Sequence, residues 1–358
     1  MNDNNNQEHT LPEIIHHLKP KISLEPKHSN LFMLILVAGA IIVPFFVIIV
    51  LSIISGFVSG PELLGIPMWV ISMVSLQIML LGGSSVIYLI IKRKHIRDIL
   101  PLRRLGWRNV IMIIILTIAL IPILSLVNAV SQLVFPDVIG EVAESVIQEG
   151  GVLTLLITFA VFPPIFEEIA FRGIGFAGFR HVKIGTAAII NGLVFGFLHM
   201  NMNQFIYAFA AGIIFCYMMY YTKSIWAPIL SHFIINAFGA LMTFIQHETA
   251  ILDFQDVLEV DMAAGGAETV MMLIGLGFFA LIALAVFIGI YIFFKRHNLR
   301  RNEAEGIITN TAQAAHEAGM VRPRAFTWAF LTSAAIFAVM MFLTYLVPIF
   351  LSALEANI

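Results

Sequence analysis

Residues 151–173 read GVLTLLITFAVFPPIFEEIAFRG. The first part is an apolar run of membrane-helix type. The last part sets two carboxylates, Glu167 and Glu168, and one guanidinium, Arg172, into the same hydrophobic stretch. Insertion scales charge about 2.5–3.5 kcal/mol for one ionisable group near a bilayer centre. Two adjacent acids at such a position therefore require partners or a function. Outside this stretch the chain is equally apolar, with 59% hydrophobic and 12% charged residues over 358 positions and a mean hydropathy of +0.94. Soluble domains carry roughly 25% charged residues, so a soluble core could not hide this much apolar surface. The fold class is an all-α, polytopic integral membrane helical bundle.

About 20 apolar residues span a bilayer as a helix. Nine stretches approach that length: roughly 31–57, 68–92, 109–135, 151–171, 184–200, 203–221, 225–246, 269–294 and 326–353. The fifth and sixth are short, so about eight to nine transmembrane helices are expected. They group as a polar tail over 1–30, three N-terminal helices over 31–135, a core over 150–245, and two C-terminal helices over 269–353 joined by a polar, Ala-rich linker, 297–325. The tail is expected to be loose, with a short amphipathic piece from Leu11 to Leu18, and it lacks the apolar core of a cleaved signal peptide.

Orientation follows from the 20 Lys and Arg residues. In an alternating nine-span arrangement all of them fall on one side, from Lys19 in the tail through Arg103 and Arg108 to Arg301 and Arg324. The opposite loops carry acids instead, Asp137, Glu141, Glu144 and Glu149 in one and Asp253, Asp256, Glu259, Asp261 and Glu268 in another. The positive-inside rule makes the basic side cytoplasmic, with the N-terminus inside and the C-terminus outside. Because the basic clusters abut apolar spans, they suit anchoring to anionic lipid and do not indicate nucleic acid. Cys216, the single cysteine, excludes an intramolecular disulfide and a Cys-based metal site and reads as a small apolar filler.

Chemistry concentrates between residues 160 and 240. Pro163 and Pro164 remove two backbone donors, so a helix can restart there with the acids in its first turns, where its positive end favours carboxylates. A kink in one long span is the alternative. Glu168 and Arg172 are four apart with the acid first, a spacing suited to an ion pair. Glu167 points about 100° away from Glu168 and is free for another task. By itself this pattern also fits a purely structural network. Counting the rise per residue from the turn near Arg180–Lys183 places His199 at the depth of Glu167. His232 and Asn236, also four apart, share a face of the next-but-one helix. Three helices can thus present Glu167, His199, His232 and Asn236 to one cavity near the midplane or the cytoplasmic half. Each polar pair alone also fits ordinary interhelical hydrogen bonding.

Taken together, Glu167-Glu168-x-x-x-Arg172, Phe195-x-x-x-His199 and His232-x-x-x-Asn236 resemble the three motifs of the CPBP intramembrane endopeptidases. That family includes the CAAX prenyl endoproteases and the bacterial Abi, or bacteriocin-processing and immunity, proteins. The resemblance covers roughly residues 150–245. It implies a catalytic Glu167 that activates water beside His199, oxyanion stabilisation by His232 and Asn236, and structural support from Glu168 and Arg172. It also implies a membrane-associated peptide or protein substrate and a bacterial cell membrane location. Burial raises the basicity a carboxylate base needs, and preorganised donors in a dry cavity act well on an oxyanion.

No cofactor is favoured. Zinc held by Glu167, His199 and His232 is the alternative, although the chain lacks the contiguous His-Glu-x-x-His pattern. Two other readings fit the same residues. One is a non-enzymatic immunity or scaffold protein of the same fold. The other is a proton-coupled transporter that uses the Glu and His set as a relay. The oligomeric state is not legible.

Overall fold

A computed structural model describes residues 25–56, 62–63, 66–93, 99–251, 266–317 and 324–355. The Leu11–Leu18 piece and residues 252–265 of the acidic loop lie outside the described residues. Ten helices are described. They are α1 (Pro26–Ser55), α2 (Met68–Lys92), α3 (Trp107–Gln132), α4 (Val138–Gly175), α5 (Ile184–Leu198), α6 (Met202–Thr222), α7 (Trp226–Ile251), α8 (Ala267–Ala304), α9 (Thr311–Glu317) and α10 (Trp328–Glu355). Extended pairing among the described residues is limited to a two-residue antiparallel contact, β1 (Glu62–Leu63) with β2 (Ile66–Pro67), and an isolated antiparallel bridge between Leu102 and Ser224. Seven helices, α1 to α4 and α6 to α8, are long and apolar enough to cross a membrane. Helix α5 has 15 residues. At 1.5 Å per residue it reaches about 22 Å, less than a hydrocarbon core of about 30 Å. On α8 the large side chains Phe278, Phe279 and Leu281 are exposed, as expected of a lipid-facing surface.

Three expectations are corrected. The stretch 136–150 is not a loop: α4 begins at Val138, with the Asp137 side chain capping the Gly140 amide, and bends at Gly151 (φ 72°). Gly151 takes a left-handed conformation that a side chain would strain. Its first part is amphipathic, burying Ala143, Val146 and Ile147 while Glu141 and Glu144 stay exposed. Next, the helix does not restart at the prolines. Val161 remains helical (φ −98°, ψ −58°), and Phe162–Glu168 is flanked by two π-helical stretches, Leu156–Val161 and Ile169–Gly175. The wider turns accommodate the donors that Pro163 and Pro164 lack, so the span runs on through the prolines and the acids have no fresh helix N-terminus. Finally, the linker is shorter than 297–325, because α8 continues to Ala304 and α9 forms within the remainder.

The basic segments converge on one end of the bundle. Arg103 donates to the Thr222 carbonyl and to Asn302 and pairs with Glu305, and Arg301 donates to the carbonyls of Arg104 and Leu105. Lys223 donates to the Thr309 carbonyl, and Arg180 to that of Ile99. At the opposite end Trp69, from the start of α2, donates to Glu149 of α4. Helices α5 and α6 cross closely where both are glycine. A Cβ on Gly212 would lie 3.0 Å from Gly192 Cα and 3.1 Å from Arg172 Nη2, so small residues here let α6 approach the buried guanidinium.

Candidate active site

The site is built on the middle of α4. Glu168 is fully buried, and its Oε1 accepts from Arg172 Nη1 at 3.0 Å and from His232 Nδ1 at 2.9 Å. The ion pair expected from the i, i+4 spacing is therefore present, and it has a third member, His232, that the spacing does not reveal. Arg172 is also buried, with its guanidinium 4.2 Å from the Phe195 ring centroid and 5.1 Å from that of Phe215. Aromatic faces stabilise a desolvated cation, so Glu168 and two phenylalanines share the work of holding this charge.

Glu167 points elsewhere. Its Oε1 accepts from Gln77 Nε2 of α2 at 3.3 Å, and its Oε2 lies 3.8 Å from His232 Nε2, buried and without a hydrogen bond. One imidazole thus faces both acids, bonded to Glu168 through Nδ1 and turned to Glu167 through Nε2. A carboxylate already paired with Arg172 only accepts, so Nδ1 of His232 carries a hydrogen. The same logic fixes His199, whose Nδ1 lies 2.7 Å from the Phe195 carbonyl. Neutral His199 then keeps its Nε2 lone pair. The Phe195 ring packs edge-on against both imidazoles, at 4.9 Å from His199 and 5.8 Å from His232, while Phe215 stacks on His232 at 5.2 Å.

Asn236 is placed by the proline pair. Its Nδ2 donates to the Phe159 carbonyl at 2.8 Å. Phe159 lies four residues before Pro163 and five before Pro164, so neither proline can supply the amide this carbonyl would otherwise accept from. One Asn236 amide hydrogen is committed to α4, and only the second is available to a substrate. The other π-helical stretch has a similar partner, Asn191 Nδ2 on the Phe171 carbonyl at 2.8 Å, and Asn191 Oδ1 accepts from the Cys216 thiol at 3.2 Å. Cys216 is therefore a buried hydrogen-bonding group and not only an apolar filler.

Glu167, His199, His232 and Asn236 all line one cavity of about 700 Å³ between α2 and α7. The four residues that the sequence assigned to one cavity are thus brought to it, whereas Glu168 and Arg172 lie behind its wall. Sequence reasoning missed Gln77, a lone amide in an apolar span far from the three motifs. Its one signal is the cost of an unpaired amide in hydrocarbon.

A catalytic zinc needs about three protein ligands and an open position. Both histidines turn Nδ1–H outward, which suits ligands. Among the described residues, however, no three His, Cys, Asp or Glu side chains converge to hold a metal ion.

Comparison with known proteins agrees with the motifs. Residues 149–238 match the family model "Type II CAAX prenyl endopeptidase Rce1-like". That matched stretch contains Glu167, Glu168, Arg172, His199, His232 and Asn236. Over 89 residues it is 32% identical to "Putative membrane peptidase YdiL" of Bacillus subtilis (strain 168), a match covering 25% of this chain and 36% of that protein. The chain thus spans only about a third of its curated relative's length. No solved structure matches it.

Proposed function

We propose that this integral membrane protein is an endopeptidase that hydrolyses a peptide bond of a membrane-associated polypeptide within the α2–α7 cavity. The observation that carries the reading is the unequal use of two adjacent acids. Each acid has an Oε2 without a hydrogen bond. Glu168, however, holds Arg172 and His232 through Oε1 behind the cavity wall, whereas Glu167 lines the cavity with its Oε2 3.8 Å from an imidazole nitrogen.

The steps follow from that geometry. Glu167 takes a proton from water, and the hydroxide attacks the scissile carbonyl carbon. His199 Nε2 accepts a hydrogen bond that orients the water. Glu168 holds His232 through Nδ1–H and turns Nε2 toward the cavity, where a hydrogen on that nitrogen would meet the developing oxyanion. The second amide hydrogen of Asn236 is the other candidate donor. Glu167 then passes its proton to the leaving amine as the C–N bond breaks. A buried Arg172 beside Glu168 is a scaffold in this scheme and not a reactant.

The test is comparative membrane proteomics of cells expressing wild type or Glu167→Gln at equal levels. Products with new N-termini should vanish in the variant. Identical product sets would reject the reading. An immunity scaffold would protect cells equally well as the variant, and a proton relay would reveal itself as proton-coupled uptake into vesicles.

A further inference from the structure

The cavity has a direction. Its floor is buried and consists of Glu167, His232, Phe195 and Phe215. Behind that floor, toward the basic end, Glu168, Arg172, Asn191, Cys216 and Thr222 are all buried. A separate apolar cavity of about 620 Å³ at that end, lined by Arg104, Trp107, Pro164, Trp226 and Phe233 among others, shares no lining residue with the active-site cavity. Six helices, α2 to α7, line the active-site cavity, and α4 does so from Ile139 to Glu167. Helix α2 contributes from Met73 to Leu81, α3 from Ile121 to Asn128, and α7 from His232 to Thr243. Nothing in α3 before Ile121 or in α7 before His232 lines it. Along α7, His232 to Thr243 is a rise of about 16 Å, and it leads away from the basic end. The lining reaches the acidic end at Asp137, the exposed N-cap of α4, while Phe238 and Gly239 are exposed midway along α7. Asn128 presents an Oδ1 without a hydrogen bond part-way along this path.

From this geometry and the charge asymmetry of the chain we infer that the active-site cavity opens to the extracytoplasmic side. The basic end is the cytoplasmic one by the positive-inside rule, so the acidic end, where the cavity reaches the surface, faces out. The catalytic groups sit deep, only about 9 Å of helix rise from the start of α7 at Trp226, yet they are reached from the opposite face. The substrate class is then a polypeptide exported or anchored with its scissile segment presented from outside. A cytosolic C-terminal tail would meet the opposite side. This inference rests on the endopeptidase reading for its substrate class, but the direction of access does not.

Single-cysteine variants separate the two. In a Cys216→Ala background, Asn128→Cys and Thr243→Cys line the path, and Arg104→Cys marks the basic end. Each is purified to check folding and then exposed in right-side-out and inside-out vesicles to a small, membrane-impermeant cationic methanethiosulfonate. The expected result is modification of positions 128 and 243 from outside and of position 104 only from inside. Labelling of 128 and 243 only from inside, or from neither side, overturns the inference. Labelling from outside together with unchanged products in Glu167→Gln would sustain the direction of access and sink the protease reading alone.

Discussion

Asn236 donates to the Phe159 carbonyl at 2.8 Å, and Phe159 is the residue whose helical donor Pro163 removes. The pair ties α7 to α4 at the point where the helix is widest, one turn along α7 from His232. A buried carbonyl left without a donor costs about 1–3 kcal/mol. Asn236→Ala should lose about that much stability. Pro163→Ala restores an amide four residues after Phe159, so the double variant should lose less than the two single losses added. Thermal or denaturant unfolding of the four proteins gives the coupling. Strict additivity would show that the bond does not compensate the proline.

Gln77 holds Glu167 in place from a helix outside the matched segment. A hydrogen bond to a charged group contributes about 1.5–3 kcal/mol. Gln77→Leu keeps the apolar volume and removes the donor. Turnover should fall about tenfold or more, with KM little changed and folding intact, since Gln77 would orient the base and not bind substrate. Steady-state kinetics decide it: an unchanged kcat would make Gln77 a bystander.

The spans were legible because hydropathy and the Lys and Arg asymmetry follow directly from the bilayer as solvent. The ion pair Glu168–Arg172 was legible because i, i+4 spacing fixes it within one helix. The π-helical stretches were not. The proline pair announces that two amides are missing, but it does not say whether the helix restarts or widens, and Asn236 and Asn191 decide this from other helices. The third partner of Glu168 was hidden for a related reason. His232 lies 64 residues further on, and helical periodicity gives its face but not its rotation against α4. The direction of the cavity depends on which halves of six helices splay apart, a property of packing that no single segment encodes.

At the basic end, burial beside Arg180 and Arg103 pulls the Lys223 ammonium down to about 8, from an ordinary value near 10.5. Between those values the unfolded chain binds more protons than the folded one, so stability rises with pH across the window. Below pH 8 the full cost of the buried charge is felt. Thermal unfolding in detergent should therefore improve for wild type relative to Lys223→Met as pH rises from 8 toward 10. A parallel pH dependence for the two proteins would refute this.

Elemental analysis addresses the metal. With no three-ligand set among the described residues, the purified protein should carry no stoichiometric zinc, and 1,10-phenanthroline should leave activity intact. About one zinc per chain, lost in His199→Ala, would replace the water-activation scheme with a metal-centred one.

The central claim is the division of labour between the adjacent acids. The most direct measurement is the rate of new N-terminus formation at one identified cleavage site, for purified wild type, Glu167→Gln and Glu168→Gln, each beside its own unfolding curve. Removing a general base costs about 10²–10⁴ in rate. Glu167→Gln should show that loss with near wild-type stability. Breaking a buried ion pair costs about 3–5 kcal/mol, so Glu168→Gln should be markedly less stable, because Arg172 loses its counter-ion. A stable, inactive Glu168→Gln beside an active Glu167→Gln would contradict the account and exchange the two roles.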